Sequence, residues 1–299
     1  MCVSFFITIF VVTYHWQTIY EHELDLKFTL CPWEIISKLQ IYRLFTSSFL
    51  HRSVFHLGIN SLAFYSLGTF HELSFGTRWH LSTIFWSVLL VNSLSVLLAL
   101  FIYLCGITDV MNEHTLGFSN VIFHLIVIEC HLNSTSSHLL FGFIKVSSEV
   151  YPWVLLITSK LILPKNSFVG HLSGILVGNL HITGLLHSLL PSVQYLRSLD
   201  DDSAITSYEN YVQAPSSDGI FEDTFCPSPT ERKRRFCCTL QLLCKMTRDV
   251  AETLLVMIFG RDKDVKAKEE EKEGDTSKIG NPTIIIISSS SGSDETNAV

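Results

Sequence analysis

The sequence of 299 residues has few charged side chains. Only 16% of its residues are charged and 47% are hydrophobic, whereas an average soluble domain has about 25% charged residues. This deficit argues against an ordinary soluble domain and favours a membrane protein. The charges are also unevenly placed, because 13 of the 21 basic and 19 of the 28 acidic residues follow residue 194. We therefore predict two parts: an apolar membrane domain, 1–194, and a polar, net acidic tail, 195–299.

Paired cysteines and a cleavable leader are also missing. The eight cysteines include no C-x-x-C step, so neither a disulfide framework nor a zinc ribbon is indicated. Residues 1–20 have no basic start and no small-residue cleavage site, and their apolar run is followed by Tyr14, His15 and Trp16. That order is typical of a helix that ends at the membrane interface. We predict the first membrane helix here rather than a signal peptide.

Six segments have roughly the apolar length of about 20 residues that a membrane helix needs. They are 1–20, 53–71, 80–105, 116–132, 149–163 and 168–190, and Glu129 and Lys160 interrupt the fourth and fifth. The basic residues of the tail favour a cytoplasmic C-terminus, while those of the core loops have the opposite bias. The predicted fold class is all-α: a polytopic membrane helix bundle with six transmembrane helices.

Polar residues within these segments indicate a cavity or a reaction site, since polar groups are costly in hydrocarbon. A transporter or channel would also have such residues, so their spacing has to distinguish the cases. His56 and Asn60 are four residues apart and so share one face of a helix. Ser119 follows Gly117 and one further residue at the start of an apolar helix, where unpaired backbone N–H groups are available to an anion. These residues combine a hydroxyl with several hydrogen-bond donors.

His171 lies at the edge of a glycine face formed by Gly170, Gly174 and Gly178. Such a face lets another helix approach closely. A serine hydroxyl needs a base within about 3 Å to take its proton, and the resulting oxyanion needs aimed donors worth about 2.7–4 kcal/mol each. Ser119 and His171 meet the first need. His56, Asn60 and the backbone N–H of Ser119 meet the second.

Six short motifs occur in a defined order over residues 41–190. They are Arg43-Leu44-Phe45-Thr46-Ser47, His56-x3-Asn60, Gly68-x3-Glu72, Phe75-Gly76-Thr77-Arg78, Gly117-Phe118-Ser119 and Gly170-His171-x2-Gly174. As a set, this order and spacing resemble the rhomboid intramembrane serine proteases. Within that family, the sequence is most similar to six-span rhomboids of the endoplasmic reticulum that carry a long cytoplasmic tail.

The resemblance implies a rhomboid fold of six transmembrane helices in the endoplasmic reticulum membrane. It makes Ser119 the nucleophile and His171 the base of a dyad without an acid, His56 and Asn60 oxyanion donors, and Gly117 and Gly174 close-packing positions. The implied reaction is hydrolysis of a peptide bond in or beside a transmembrane helix of another membrane protein. Membrane-protein substrates and the lipid bilayer are the expected partners, with no metal, cofactor or nucleic acid.

Asn120 departs from the family pattern, which has glycine or another small residue after the nucleophile. A larger side chain at a tight helix contact is able to push the dyad apart, and about 1 Å of displacement costs about 10²-fold in rate. The alternative function is a catalytically inactive rhomboid-like protein that binds membrane clients for degradation; the retained Ser119 and His171 argue against it. A small transporter is a third interpretation, but no inverted repeat supports it.

Two patterns begin like metal sites without completing one. His124, His131 and His138 repeat every seven residues, but the pattern supplies no carboxylate or second cluster, so helix packing is the favoured interpretation. His71-Glu72 starts like a zinc-protease helix motif, yet no second histidine follows at the required spacing. No metal site is predicted.

The tail is predicted to be largely disordered because it cannot bury enough apolar surface to offset the entropy of ordering. Within it, about 236–259 is rich in apolar residues but is interrupted by charged ones, and it is predicted as an interfacial or partner-binding amphipathic helix rather than a seventh span. The run Ile284-Ile285-Ile286-Ile287 before serines and acids resembles a SUMO-interaction segment, although a short apolar run in a disordered tail is the simpler interpretation. The basic run 232–235 is predicted to contact anionic lipid headgroups. The resemblance offers another partner for this run, an AAA ATPase of the kind that the tails of some similar rhomboids recruit.

Overall fold

The structure is a computed structural model. It describes residues 2–20, 25–133, 137–140, 142–164, 166–186, 191, 193–201, 211–213, 228, 230–238, 240, 241, 244, 245 and 248. The described chain is mostly helical, with α1 (Cys2–Ile19), α2 (Asp25–Phe28), α3 (Pro32–Lys38), α4 (Arg43–Thr46), α5 (Val54–Phe75), α6 (Thr77–Leu104), α7 (Ser119–Leu132), α8 (Tyr151–Ile162), α9 (Phe168–Ile182) and α10 (Val193–Asp201). Two strands, β1 (Ser137–Leu140) and β2 (Ile144–Ser147), form an antiparallel hairpin between α7 and α8. Contacts divide the chain into two units, Met1–Thr239 and Leu240–Val299, and all of these elements belong to the first.

Each of the six predicted membrane segments contains a helix: α1, α5, α6, α7, α8 and α9. In the part of the chain that the structure describes, two helices, α1 and α6, are long and apolar enough to cross a membrane. Helices α7, α8 and α9 have 14, 12 and 15 residues, so the number of six spans stays a prediction. Large apolar side chains such as Leu62 and Phe101 are 72% and 63% exposed, and an outer surface of this kind suits lipid better than water.

Local signals in the sequence explain where the helices of the site begin. Ser53 precedes α5, and its hydroxyl accepts the backbone N–H of His56. Ser167 precedes α9, and its hydroxyl accepts the backbone N–H of Gly170. Gly76 has a φ of +89° and separates α5 from α6, because few other residues adopt that backbone conformation. Serine caps of this type satisfy N–H groups that the first helical turn leaves without partners.

The start of α7 is held in a cluster of phenylalanines. Phe118, directly before α7, is fully buried. Its ring centroid lies 4.9 Å from that of Phe10 on α1 and 5.0 Å from that of Phe64 on α5. Phe6 and Phe49 complete the cluster. Because these rings come from separate elements, they fix the position at which α7 begins relative to α1 and α5.

Parts of the predicted tail contact the helical body. The carboxylate of Asp200 on α10 pairs with Arg78 at 2.6 Å. The backbone N–H of Thr77 donates to the Val212 carbonyl at 2.8 Å, and Arg235, within helical residues 230–238, donates to the Ile182 carbonyl at 2.9 Å. The SUMO-like run at 284–287 and most of the predicted helix 236–259 lie outside the described residues, as does most of the segment predicted to be disordered.

Candidate active site

Ser119 and His171 face each other across the contact between α7 and α9. Ser119 is the first residue of α7, and His171 lies in the first turn of α9. The distance from Ser119 Oγ to His171 Nε2 is 2.9 Å. His171 is buried and Ser119 is half-buried. Two side chains that are 52 residues apart in sequence therefore have the hydrogen-bond geometry that activation of a serine requires.

The glycine face of α9 makes this approach possible. A Cβ atom built on Gly174 would overlap the backbone carbonyl oxygen of Asn120 and would lie 2.9 Å from Phe123 Cβ. One turn on, a Cβ atom on Gly178 would lie 2.7 Å from Val127 Cβ. Real Cβ contacts are longer than this, so α7 and α9 would have to move apart if either glycine carried a side chain.

Asn120 does not separate the dyad, although its side chain is larger than the small residue of the family pattern. Its side chain occupies the space that Gly170 leaves open: a Cβ atom on Gly170 would lie 2.5 Å from Asn120 Oδ1 and 2.8 Å from its Cγ. The amide of Asn120 also donates to Asn92 Oδ1 on α6 at 3.4 Å. Because Gly170 absorbs the extra volume, Ser119 and His171 remain in hydrogen-bond contact.

This accommodation predicts a coupled pair of substitutions. Gly170→Ala should lower the free energy of unfolding by about 1–3 kcal/mol, because overpacking at a tight helix contact forces backbone shifts. Adding Asn120→Gly should restore most of that loss by removing the obstructing amide. Denaturant unfolding of the two single variants and the double variant in detergent micelles measures the coupling, expected at about 0.5–3 kcal/mol. Additive effects would show that the two side chains do not compete for this space.

His56 and Asn60 converge on Gly117, two residues before Ser119. A Cβ atom built on Gly117 would lie 2.9 Å from His56 Nε2 and 3.6 Å from Asn60 Nδ2. Gly117 also has a φ of +116°, a conformation that favours glycine. Both conditions exclude a side chain here. The loop before α7 therefore carries the backbone past two side-chain donors.

These two donors have unused hydrogen-bonding capacity. The backbone N–H of Arg52 donates to His56 Nδ1 at 3.5 Å, which leaves the ring proton on Nε2. Among the described residues, none accepts a hydrogen bond from His56 Nε2 or Asn60 Nδ2, although both atoms are buried. Buried donors without acceptors are rare in folded proteins. An oxyanion formed beside Ser119 would supply the acceptor.

Two further side chains support the site and were not predicted from the sequence. The ring of Phe123 stacks on His171 with centroids 4.5 Å apart and an interplanar angle of 26°. Phe123 lies four residues after Ser119, and this spacing on one helix face was the available signal. Asn92 bonds the Leu44 carbonyl at 2.7 Å and Ser48 Oγ at 2.9 Å. Asn92 is the one amide side chain in α6, and this was its signal.

Lys160, which interrupts the fifth predicted span, stabilises the loop before α9. Its ammonium donates to the Pro164 carbonyl at 2.7 Å and to the Asn166 carbonyl at 2.9 Å. This holds the loop that leads into Ser167 and the helix of His171. A small polar cavity beside Ser119 is lined by Arg52, His56, Thr115, Leu116, Ser119, Asn120, Asn166 and Ser167.

The three histidines of the sevenfold repeat have different surroundings. His124 is buried in the helical core, where its Nε2 lies 3.0 Å from His181 Nδ1. His131 lies near the end of α7. His138 lies on β1. They therefore do not form one stripe.

The structure is thus a helical bundle in which a serine and a histidine from distant segments are hydrogen-bonded. Residues 38–188 match the family model of the rhomboid domain, and the chain belongs to the rhomboid family, a family of membrane proteins.

Curated relatives agree with this assignment. Rhomboid-like protein 15 of Arabidopsis thaliana is 33% identical over 192 residues, which are 62% of this chain and 47% of that protein. Rhomboid-related protein 4 of Homo sapiens is 30% identical over 157 residues, 50% of this chain and 47% of that protein. Rhomboid-type serine protease 2 of Neurospora crassa is 28% identical over 161 residues, 54% of this chain and 56% of that protein. The chain thus spans about half the length of the curated relatives it matches.

Proposed function

We propose that this chain is an intramembrane serine protease that hydrolyses peptide bonds in or next to transmembrane helices of other membrane proteins. The observation that carries the proposal is the 2.9 Å hydrogen bond between Ser119 Oγ and His171 Nε2. Membership of the rhomboid family and the similarity to relatives named serine proteases support it. The accommodation of Asn120 beside Gly170 removes the main argument for an inactive client-binding protein.

In the proposed reaction, His171 Nε2 takes the hydroxyl proton as Ser119 Oγ attacks the substrate carbonyl. The protonated imidazole then donates that proton to the leaving amine, and an acyl-enzyme forms. Water attacks the ester in a second cycle in which His171 again acts as base. Among the described residues, no carboxylate hydrogen-bonds the His171 ring. In this proposal the stacked ring of Phe123 orients the imidazole of His171, as the acid does in a catalytic triad.

The tetrahedral intermediate of this reaction carries a negative oxygen that needs donors. The proposed donors are Asn60 Nδ2, His56 Nε2 and the backbone N–H of Ser119. The N–H of Ser119 has no partner within the helix because it belongs to the first turn of α7. The two side-chain donors are fixed on α5 before any substrate binds, and fixed donors stabilise developing charge most effectively.

The proposed substrates are membrane proteins whose transmembrane segments contain polar or helix-breaking residues. Such segments unwind at lower cost, and hydrolysis needs an extended backbone that can reach Ser119. We also propose that the protein lies in the endoplasmic reticulum membrane. This location rests only on the resemblance of its motif order and long tail to those of the six-span rhomboids of that membrane.

The proposal is tested with the full chain in lipid vesicles. A type I membrane protein with a helix-breaking transmembrane segment is co-reconstituted with wild type or with Ser119→Ala, and its fragments are quantified. Wild type should produce a fragment cut in or beside the segment, and Ser119→Ala should produce none. An intact substrate that co-purifies equally with both chains would overturn the protease and favour client binding.

The oxyanion assignment makes a separate prediction. His56→Ala and Asn60→Ala should each lower kcat by about 10²–10³-fold with a smaller change in KM, because these donors act on the transition state. Vesicle kinetics measure both constants. The matched controls are His15→Ala on α1 and Asn179→Ala on α9, and both should retain the wild-type kcat. The side-chain amide of Asn179 donates to the Ile175 carbonyl of its own helix. A loss confined to KM would contradict the assignment.

A further inference from the structure

A second cluster of reactive side chains lies at the far end of α7 from the dyad. Glu129 and Cys130 are in the last turn of α7, and His138 is on β1. His138 Nε2 lies 3.6 Å from Cys130 Sγ and 3.7 Å from Glu129 Oε2. The distance between Cys130 Sγ and Glu129 Oε2 is 3.9 Å. Eleven residues of helix rise about 16 Å, so the cluster is separate from Ser119.

We propose that Glu129, Cys130 and His138 bind a divalent transition metal of the zinc type. Zinc takes sulfur at ~2.3 Å and nitrogen or oxygen at ~2.0–2.1 Å in tetrahedral sites, which places ligand atoms about 3.3–3.6 Å from one another. The distance between Cys130 and His138 lies within that range, and the two distances to Glu129 exceed it by about 0.3 Å or less. Small side-chain rotations are enough to close the site.

The surrounding residues already orient the ligands. Asn133 Nδ2 donates to Glu129 Oε1 at 3.1 Å, which turns the other carboxylate oxygen toward His138 and Cys130. The ring of Tyr151 lies against His138 with centroids 4.8 Å apart. Ser148 Oγ donates to the Asn133 carbonyl at 2.8 Å. Partners that fix ligand orientation in this way are a general feature of metal sites.

Charge and access also fit a cation. In the described part of the chain, neither lysine nor arginine pairs with Glu129, and its ionic contact is with His138. The Glu129 carboxylate and a Cys130 thiolate together carry two negative charges, which a divalent cation would neutralise. The side chains of His138 and Glu129 are 17% and 18% exposed, so an ion can enter. Three protein ligands leave a fourth position for water.

Metal binding at this site would link the end of α7 to the β1–β2 hairpin. The Cys130 thiol loses its proton to solvent as the metal–sulfur bond forms, and His138 binds through its neutral Nε2. Protons therefore compete with the metal, and affinity should fall as the pH is lowered. The sequence pattern indicates no site, because the sevenfold spacing groups His138 with His124 and His131, whereas its partners in the structure are Glu129 and Cys130.

The test uses Co²⁺ as a spectroscopic probe of the full chain in detergent. The exposed thiols Cys105, Cys237, Cys238 and Cys244 are first replaced by serine together with Cys226, so that they cannot bind metal themselves. This background chain should bind one Co²⁺ with a sulfur-to-cobalt charge-transfer absorption, and Zn²⁺ should displace it. Cys130→Ser should abolish the absorption, and His138→Ala should weaken affinity by at least about 10²-fold.

Two substitutions serve as matched controls. Cys31→Ser replaces another buried cysteine, and His131→Ala replaces a histidine of α7 outside the cluster; both should bind Co²⁺ like the background. Zn²⁺ should also raise the unfolding temperature of the background and not that of Cys130→Ser. A background chain that binds less than one Co²⁺, or a Cys130→Ser chain with unchanged absorption, overturns the proposal. If Cys130→Ser does not fold, the stoichiometry and absorption of the background decide.

Discussion

Ser119→Ala is expected to lower the rate of substrate cleavage in the vesicles by about 10⁴–10⁶-fold. The reason is that the hydroxyl of Ser119 is the nucleophile and no other hydroxyl is paired with His171 among the described residues. His171→Ala should lose nearly as much. The double variant should lose no more than either single one, because a nucleophile and its base act as one unit.

Stability measurements separate this loss from unfolding. Ser119→Ala removes one half-buried hydrogen bond, so the free energy of unfolding should change by about 1 kcal/mol or less. Ser173→Ala is the matched control: its hydroxyl bonds the Val169 carbonyl of the same helix at 2.8 Å and takes no part in the reaction. Cleavage that survives Ser119→Ala or His171→Ala defeats the mechanism, as does a double variant far less active than both singles.

Gly174→Val is expected to remove both the tight helix contact and the activity. Any Cβ atom at this position would overlap the Asn120 carbonyl oxygen, and a backbone atom cannot rotate away as a side chain can. Valine should therefore destabilise the fold by about 3 kcal/mol or more. The helices α7 and α9 must move apart, and about 1 Å between Ser119 and His171 costs about 10²-fold in rate.

The experiment compares denaturant unfolding and vesicle cleavage for Gly174→Val, Gly174→Ala and Gly58→Ala. Gly58 is a helical glycine on α5, where no described atom lies within 4 Å of an added Cβ. Gly58→Ala should be neutral or stabilising by about 0.5–1 kcal/mol. Gly174→Ala should fall between the control and valine. If both Gly174 variants behave like the control, the contact between α7 and α9 is not what aligns the dyad.

The sequence predicted the helices because their signals are local. Apolar length marks each of the six predicted segments, and each contains a helix. The serine caps at Ser53 and Ser167, next to the motifs of α5 and α9, are also local. The spacing of the three glycines identified the face of α9 that packs, because residues four apart share one side of a helix.

The sequence by itself determined which residue types stand on which helix face: a serine at the start of α7, a histidine beside the glycines of α9, and two donors one turn apart on α5. Only the tertiary structure decided the distances between them. It placed Asn120 in the gap at Gly170, and it brought Glu129 and Cys130 to His138 rather than to the other histidines of the repeat. The physical reason is that periodicity describes one helix at a time, whereas contacts between helices depend on how side chains from distant segments fill a shared volume.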